Sequence, residues 1–323
     1  MGKNNQPLFI CGFPSGGTDL LKTMLNAHKH IYLNGEMPFL YLLPKYNYTY
    51  NSKINNTIEK NKFREIIYKI DVYRNFENLE YSDISFPITV PDLVKIYFSK
   101  SDKRIWGNKT PQNSEHIDDL LRIFPDAKFL IIVRDIRDIA MSWHKKWGKD
   151  MLFCAHKWEN KMKIMLQSVQ NLNPEKYLIV KYEDILESTE SELKRVTSFL
   201  SLNWDKNMLE HHKHLNEFKD GKINFGKPLI KDNKSKWKTG INRSILLRIE
   251  EISFTMLSHF NYNISLAKKY SEIKLREKLT GRFKDIVTMI FVGNKFRSKQ
   301  KVTDIIKDVK FEIKKKINSL KGI

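Results

Sequence analysis

The chain has 323 residues, 41% of them hydrophobic, which is enough for one large domain or one domain with an appendage. Its formal charge of +20 points to an anionic partner (a nucleotide, a sulfated or phosphorylated polymer, nucleic acid or an acidic membrane surface), although a Lys-, Asn- and Ile-rich composition gives the same excess without one. Two cysteines, Cys11 and Cys154, exclude a disulfide framework, and no apolar run approaches the ~20 residues needed to span a bilayer. The start "MGKNNQ" lacks the Ser/Thr of a myristoylation signal, and a first strand near Pro7 leaves no room for a signal peptide, so a cytoplasmic location is expected.

In chain order, "PLFICGF" is a short apolar run closed by Gly and Pro, as in a buried parallel strand. Gly16 and Gly17 permit a tight turn, and "TDLLKTMLNAH" then has helical spacing. "IYLNGE" is extended. Weak helical patterns cover 55–75 and 91–100. "KRIWGNKTP" is extended up to Lys109, and Asn113 or Ser114 is placed to cap a helix through Phe124. "AKFLIIVRD" is the clearest strand, followed by a helix in "DIAMSWHKKWG" and a long one over 153–171. "KYLIVKYED" is a further strand and "ESELKRVTSFLSL" an amphipathic helix. Residues 203–240 are irregular and Lys-rich, and a helix is predicted from Arg243 to Phe260. Strands alternating with helices give an α/β fold, a parallel sheet covered on both faces.

Two places carry chemistry. Gly12 and Gly17 have the G-x-x-x-x-G spacing of a phosphate-binding loop, but Thr18 and Asp19 stand where a nucleotide triphosphatase has its Lys and Mg²⁺-binding hydroxyl. Backbone amides at a helix start bind phosphate without a lysine, so the loop fits a nucleotide with a single 5′-phosphate and no metal. An ordinary Gly-rich turn is the bland alternative. In "FLIIVRDIRDIAMSW", Arg134 falls just past a strand and Ser142 two turns into the next helix, a pairing suited to a second phosphate. By itself Arg134 reads as a partner of Asp135 or Asp138 on a solvated face.

Together these segments resemble the sulfotransferases that use 3′-phosphoadenosine 5′-phosphosulfate (PAPS). "PLFICGFPSGGTDLLKTMLNAHKHI" is similar to their 5′-phosphosulfate loop, and "AKFLIIVRDIRDIAMSWHKKW" to their 3′-phosphate segment. "KYLIVKYEDILESTESELKRVTSFLSL" is similar to the next strand–helix unit and "SKWKTGI" to the loop that closes over the cofactor. The resemblance covers about residues 7–262 and is nearest the tyrosylprotein and bacterial carbohydrate branch. It implies a P-loop-type parallel sheet flanked by helices, over residues 1–266. It implies PAPS as cofactor, PAP as product and no metal. It places Pro14, Ser15, Gly16, Gly17, Thr18, Asp19, Leu20, Arg134, Ser142, Tyr182, Ser235, Lys236 and Trp237 around the cofactor. Glu36, in "YLNGEMPFL", takes the place of the general base, and Lys109, in "GNKTPQ", stabilises the leaving oxygen. The implied acceptor carries a hydroxyl or amine, on a carbohydrate, peptide or metabolite; no nucleic acid is implied. Acceptor specificity would be set by residues 37–100 and 205–235, where aromatics such as Phe39, Tyr41 and Tyr46 either stack on the acceptor or, as the more ordinary role, pack in the core.

Three positions depart from the family pattern. Ser15 replaces the loop arginine, Asp19 replaces the second threonine, and His28–Lys29 replaces His-Pro. Asp19 puts a negative charge near the 5′-phosphate unless its carboxylate turns to the helix end or meets a lysine. These departures leave a non-catalytic binder of anionic ligands on the same fold as the alternative, with a P-loop metabolite kinase behind it. His28 and His30 are alternative bases to Glu36.

Residues 267–323 change character and form a basic helical C-terminal extension. Residues 268–321 hold 17 Lys/Arg and six Asp/Glu, a net charge of +11. Apolar residues from Val302 to Leu320 recur at helical spacing. This extension either packs on the domain or makes peripheral contact with an anionic membrane.

Overall fold

The computed structural model describes residues 6–36, 51–70, 85–89, 92, 103–213 and 228–291. Apart from Asp92, the predicted helix over 91–100 lies outside those residues, as do the aromatics between Phe39 and Tyr50 and the Val302–Leu320 stripe.

Strand β1 (Gln6–Gly12) leads through a turn into helix α1 (Thr18–Asn26), and β2 (Ile31–Asn34) follows. A small antiparallel pair, β3 (Lys53–Ile54) and β4 (Ile88–Thr89), flanks α2 (Thr57–Ile70). Then come β5 (Ile105–Lys109), a 3₁₀ turn over Pro111–Glu115, α3 (Ile117–Ile123) and β6 (Lys128–Val133). Two helices, α4 (Ile136–Trp147) and α5 (Met151–Gln170), precede β7 (Tyr177–Lys181). The rest is helical: α6 (Tyr182–Glu187), α7 (Thr189–Phe199), a 3₁₀ segment over Lys206–Lys213, α8 (Trp237–Gly240), α9 (Arg243–Ile252), α10 (Phe254–His259) and α11 (Leu275–Phe291).

The main sheet has the order β2-β5-β1-β6-β7 and every pairing is parallel. In the central strand Ile10 lies between Lys109 and Leu130. Both faces of β1 are buried, which explains why its sequence is continuously apolar rather than alternating. Leu8 and Ile10 point into one layer with Leu21, Met24 and Val196, whereas Phe9 and Cys11 point into the other with Trp106, Phe129 and Trp158. Both cysteines are free and fully buried. The fold is therefore the P-loop-type α/β sheet with helices on both faces, followed by the helix α11.

Three predicted element limits differ from those observed. The helix expected from Asn113 or Ser114 begins only at Ile117. Neither side chain caps it: Ser114 Oγ donates to the carbonyls of Gly12 and Pro111, and the Asn113 amide donates to Asn108 Oδ1 at 2.8 Å. Strand β7 stops at Lys181 and Tyr182 opens a helix, because the next carboxylate, Glu183, accepts from the Asp135 amide and from the Tyr262 hydroxyl. The single helix expected over 243–260 is two, since the buried Glu159 carboxylate takes the Met256 amide at 3.1 Å.

One buried charge group holds the C-terminal side of the domain. Arg137 pairs with Asp135 and Glu250, at 2.8 and 2.6 Å, and its guanidinium stacks on the Trp237 ring. Glu250, fully buried, also accepts from the amides of Ser265, Leu266 and Ala267 and from the Ser265 hydroxyl. Burial disfavours its charge, but these donors outweigh that effect and lower its pKa.

Candidate active site

The C-terminal ends of the parallel strands bring the predicted residues to one edge of the sheet, where open α/β folds bind ligands. At the end of β1 the chain turns sharply, with the Gly16 amide donating to Phe13 O at 2.8 Å. Ser15 adopts φ 65° and Gly17 φ 96°, both left-handed. Gly17 is required twice over: its φ suits glycine, and a Cβ there would run into the Tyr182 ring. Gly17 is also the N-cap of α1, so no side chain caps this nine-residue helix. Its first amides, from Thr18 onward, are the donors that such a helix start offers to an anion. The loop is held from behind by Trp143 of α4, whose Nε1 donates to Pro14 O at 3.2 Å while its ring stacks on Phe13 at 5.1 Å. Leu20 packs into the α1 layer of the core.

Lys109, the last residue of β5, is nearly inaccessible, and its Nζ sits between two carboxylates, 2.6 Å from Asp19 and 2.8 Å from Glu36. Burial acts against its charge, but the pairs with Asp19 and Glu36 prevail and push its pKa up to about 12. Asp19 therefore does meet a lysine. Both carboxylates remain about one-third exposed, so the group faces the open side of the site.

Arg134, one residue past β6, stacks on the Tyr182 ring at 4.2 Å. Its two Nη atoms donate to Ser15 O at 3.1 Å and Asn233 O at 2.9 Å. Its Nε is buried with no hydrogen-bond partner. The half-buried Ser142 lies two turns along α4 from Arg134. One turn further, Lys146 has a pKa lowered by partial burial and by Arg134, with Asp19 acting in the opposite direction. Those two neighbours put Lys146 in the field of the site.

In the segment like the closing loop, Ser235 adopts φ 55° and the Lys236 ammonium donates to Asn233 Oδ1 at 2.9 Å. Trp237 faces inward, its ring on Arg137 and its amide donating to Asp138 Oδ1 at 3.0 Å. Burial raises the Asp138 pKa, and its Oδ2 has no partner. Asn233 ties the parts together, because its amide nitrogen also donates to the Tyr182 hydroxyl at 2.7 Å.

Sequence reasoning missed Lys146 and Asn233. The four-residue step from Ser142 along a helix was a usable signal for Lys146. Asn233 sits in an irregular stretch with no pattern to mark it. The alternative bases His28 and His30 lie at the opposite edge, where β2 begins. His28 is buried, with Nδ1 accepting from the His30 amide and Nε2 donating to Asn203 O, so neither nitrogen is open to a substrate. Among the described residues, no group of three or more His, Cys, Asp or Glu is placed to hold a metal, and no helix is long and apolar enough to cross a membrane.

Protein-tyrosine sulfotransferase A of Caenorhabditis elegans is 24% identical over 271 residues, which is 79% of this chain and 67% of that protein. Among solved structures, the sulfotransferase domain of the Synechococcus PCC 7002 olefin synthase superposes with a TM-score of 0.62 at 20% identity. The match covers 82% of this chain and 98% of that domain. The sulfotransferase domain from the curacin biosynthetic pathway gives 0.56 at 15% identity, covering 80% and 99%. Residues 7–206 match the sulfotransferase family, and with the loop, the parallel sheet and the order of the segments in agreement, the chain belongs to that family.

Proposed function

We propose that this protein moves a sulfuryl group from PAPS to an acceptor hydroxyl or amine on a carbohydrate, peptide or metabolite, with Glu36 as general base. The observation that carries the reading is the convergence of the uncapped α1 start, the Asp19–Lys109–Glu36 group and Arg134 at one edge of the sheet. These residues fit the cofactor: the α1 amides suit the 5′-phosphosulfate, and Arg134, with a buried Nε lacking a partner, suits the 3′-phosphate. Ser142 and Lys146 lie one turn apart on α4, the helix that follows Arg134, and Tyr182, which stacks on Arg134 and accepts from Asn233, suits the nucleoside side.

When bound, PAPS supplies the sulfuryl group and leaves as PAP. Glu36 accepts the acceptor's proton, and its ion pair with Lys109 holds that carboxylate in place. Lys109 and the α1 amides stabilise the charge that grows on the leaving oxygen. Positioning and electrostatics do the work, as in phosphoryl transfer.

A second reading, a non-catalytic binder of anions, is favoured by Ser15 and by Lys109 being shared between two carboxylates. A kinase is disfavoured by Thr18 and Asp19 in place of the triphosphate-gripping pair. Thermal-shift measurements separate the three: PAP with EDTA present stabilises a sulfotransferase, ATP with Mg²⁺ a kinase, and neither nucleotide the binder. Mass spectrometry of extracts incubated with the protein and labelled PAPS then identifies the acceptor.

A further inference from the structure

We propose that α11 is a membrane-docking helix that seats an outward apolar ridge, Leu275, Leu279 and Phe283, in an anionic lipid surface. A surface helix ordinarily turns its apolar stripe toward the core. Over its described side chains, residues 275–285, helix α11 does the reverse. Toward α5 it presents Gly281, packed so closely on Phe153 that a Cβ would collide with that side chain. On the same side Glu277 pairs with Arg248 at 2.9 Å and Asp285 pairs with Lys157. The large apolar residues among these described side chains point away, with Leu275 72%, Leu279 55% and Phe283 68% exposed. They recur every four residues and so form one ridge, about 12 Å long at 1.5 Å per residue.

The charges identify the occupant. Both acids of the described helix are engaged inward, whereas Arg276 and Arg282 are exposed and form no ion pair among the described residues. Lys274 and Lys284 are exposed as well, although Lys284 reaches Asp150 at 3.1 Å. An apolar ridge beside cations is the pattern of a helix that lies in the plane of a membrane interface. A second copy of the same face would bring Arg276 and Arg282 against like charge. The chain's own residues 292–323 hold ten Lys/Arg against three Asp/Glu, so folding them onto this face would also stack cation on cation. An anionic headgroup layer satisfies the ridge and the cations together. The inference does not depend on the sulfuryl-transfer reading.

The test uses the full chain with Phe283→Trp and vesicles of phosphatidylcholine with or without phosphatidylserine. The added tryptophan should shift to the blue and be quenched by brominated lipid only with the anionic vesicles. A second variant, Leu279→Gln with Phe283→Gln, should lose at least about tenfold in vesicle affinity with its melting temperature and PAP affinity unchanged. Equal vesicle binding by that variant would assign any docking to the residues after 291 and overturn the role of α11. A blue shift without lipid also overturns it: one that deepens with protein concentration means a second copy covers the ridge, and one that does not means the chain covers it itself.

Discussion

The ammonium of Lys109 lies 2.6 Å from the Asp19 carboxylate, so the acid that departs from the family pattern is neutralised by the lysine assigned to the leaving oxygen. The pairing reconciles a negative side chain with a phosphate loop, and it divides the charge of Lys109 between ligand and protein.

Replacing Asp19 with threonine should therefore tighten PAP binding. One partly screened charge near a phosphate is worth on the order of 1 kcal/mol, about fivefold in Kd. Calorimetry with PAP checks this; weaker binding would mean that Asp19 holds Lys109 in place rather than competing for it.

Glu36→Gln should lower turnover by roughly 10²–10⁴-fold and leave PAP affinity nearly unchanged, since a base acts on the acceptor and not on the cofactor. Turnover of labelled PAPS measured beside PAP calorimetry tests the pair of outcomes. Unchanged turnover would remove Glu36 as base.

Arg134→Ala should weaken PAP by roughly 1.5–3 kcal/mol more than it weakens a nucleotide lacking the 3′-phosphate, the size of a charge-assisted hydrogen bond. Equal losses for both nucleotides would confine Arg134 to its present bonds with Ser15 and Asn233.

His211 gives a pH dependence whose sign is fixed. It is almost fully buried against α1, and desolvation, aided by His212, lowers its pKa from 6.5 to about 4. The unfolded chain therefore binds more protons than the folded one between those values, so stability is full above pH 6.5 and is lost as pH falls toward 4. His211→Leu should flatten the melting temperature over that window. A slope as steep as that of the wild type would assign the acid sensitivity to other groups.

How much could be read from the sequence depended on how local the signal was. The loop and β1 were legible because a buried parallel strand and a Gly-rich turn each write themselves into a few consecutive residues. Arg134 was legible because it closes the most apolar strand. The limits of α3 and the break at Ser253 were not, because Ser114 and Met256 bond to Gly12 and Glu159, more than 95 residues away. The same holds within the site: nothing near Asp19 in the sequence indicates Lys109, and nothing near Asn233 indicates that Arg134 and Tyr182 meet it. The outward ridge of α11 was equally hidden, since a helical period states that a face exists and not which way it points.

The carboxylate of Glu250 decides where the chain can be cut. Its two oxygens take three consecutive amides from Ser265, Leu266 and Ala267, so those residues act as a clasp on a fully buried charge. A chain ending at Ala267 keeps every donor, whereas one ending at Asn263 removes four hydrogen bonds and leaves Arg137 as the carboxylate's remaining partner. Each stripped bond to a buried charge costs on the order of 1.5–3 kcal/mol, together as much as a typical domain's whole margin. Two truncated chains four residues apart should thus differ as folded from unfolded, a boundary sharper than any change in composition marks.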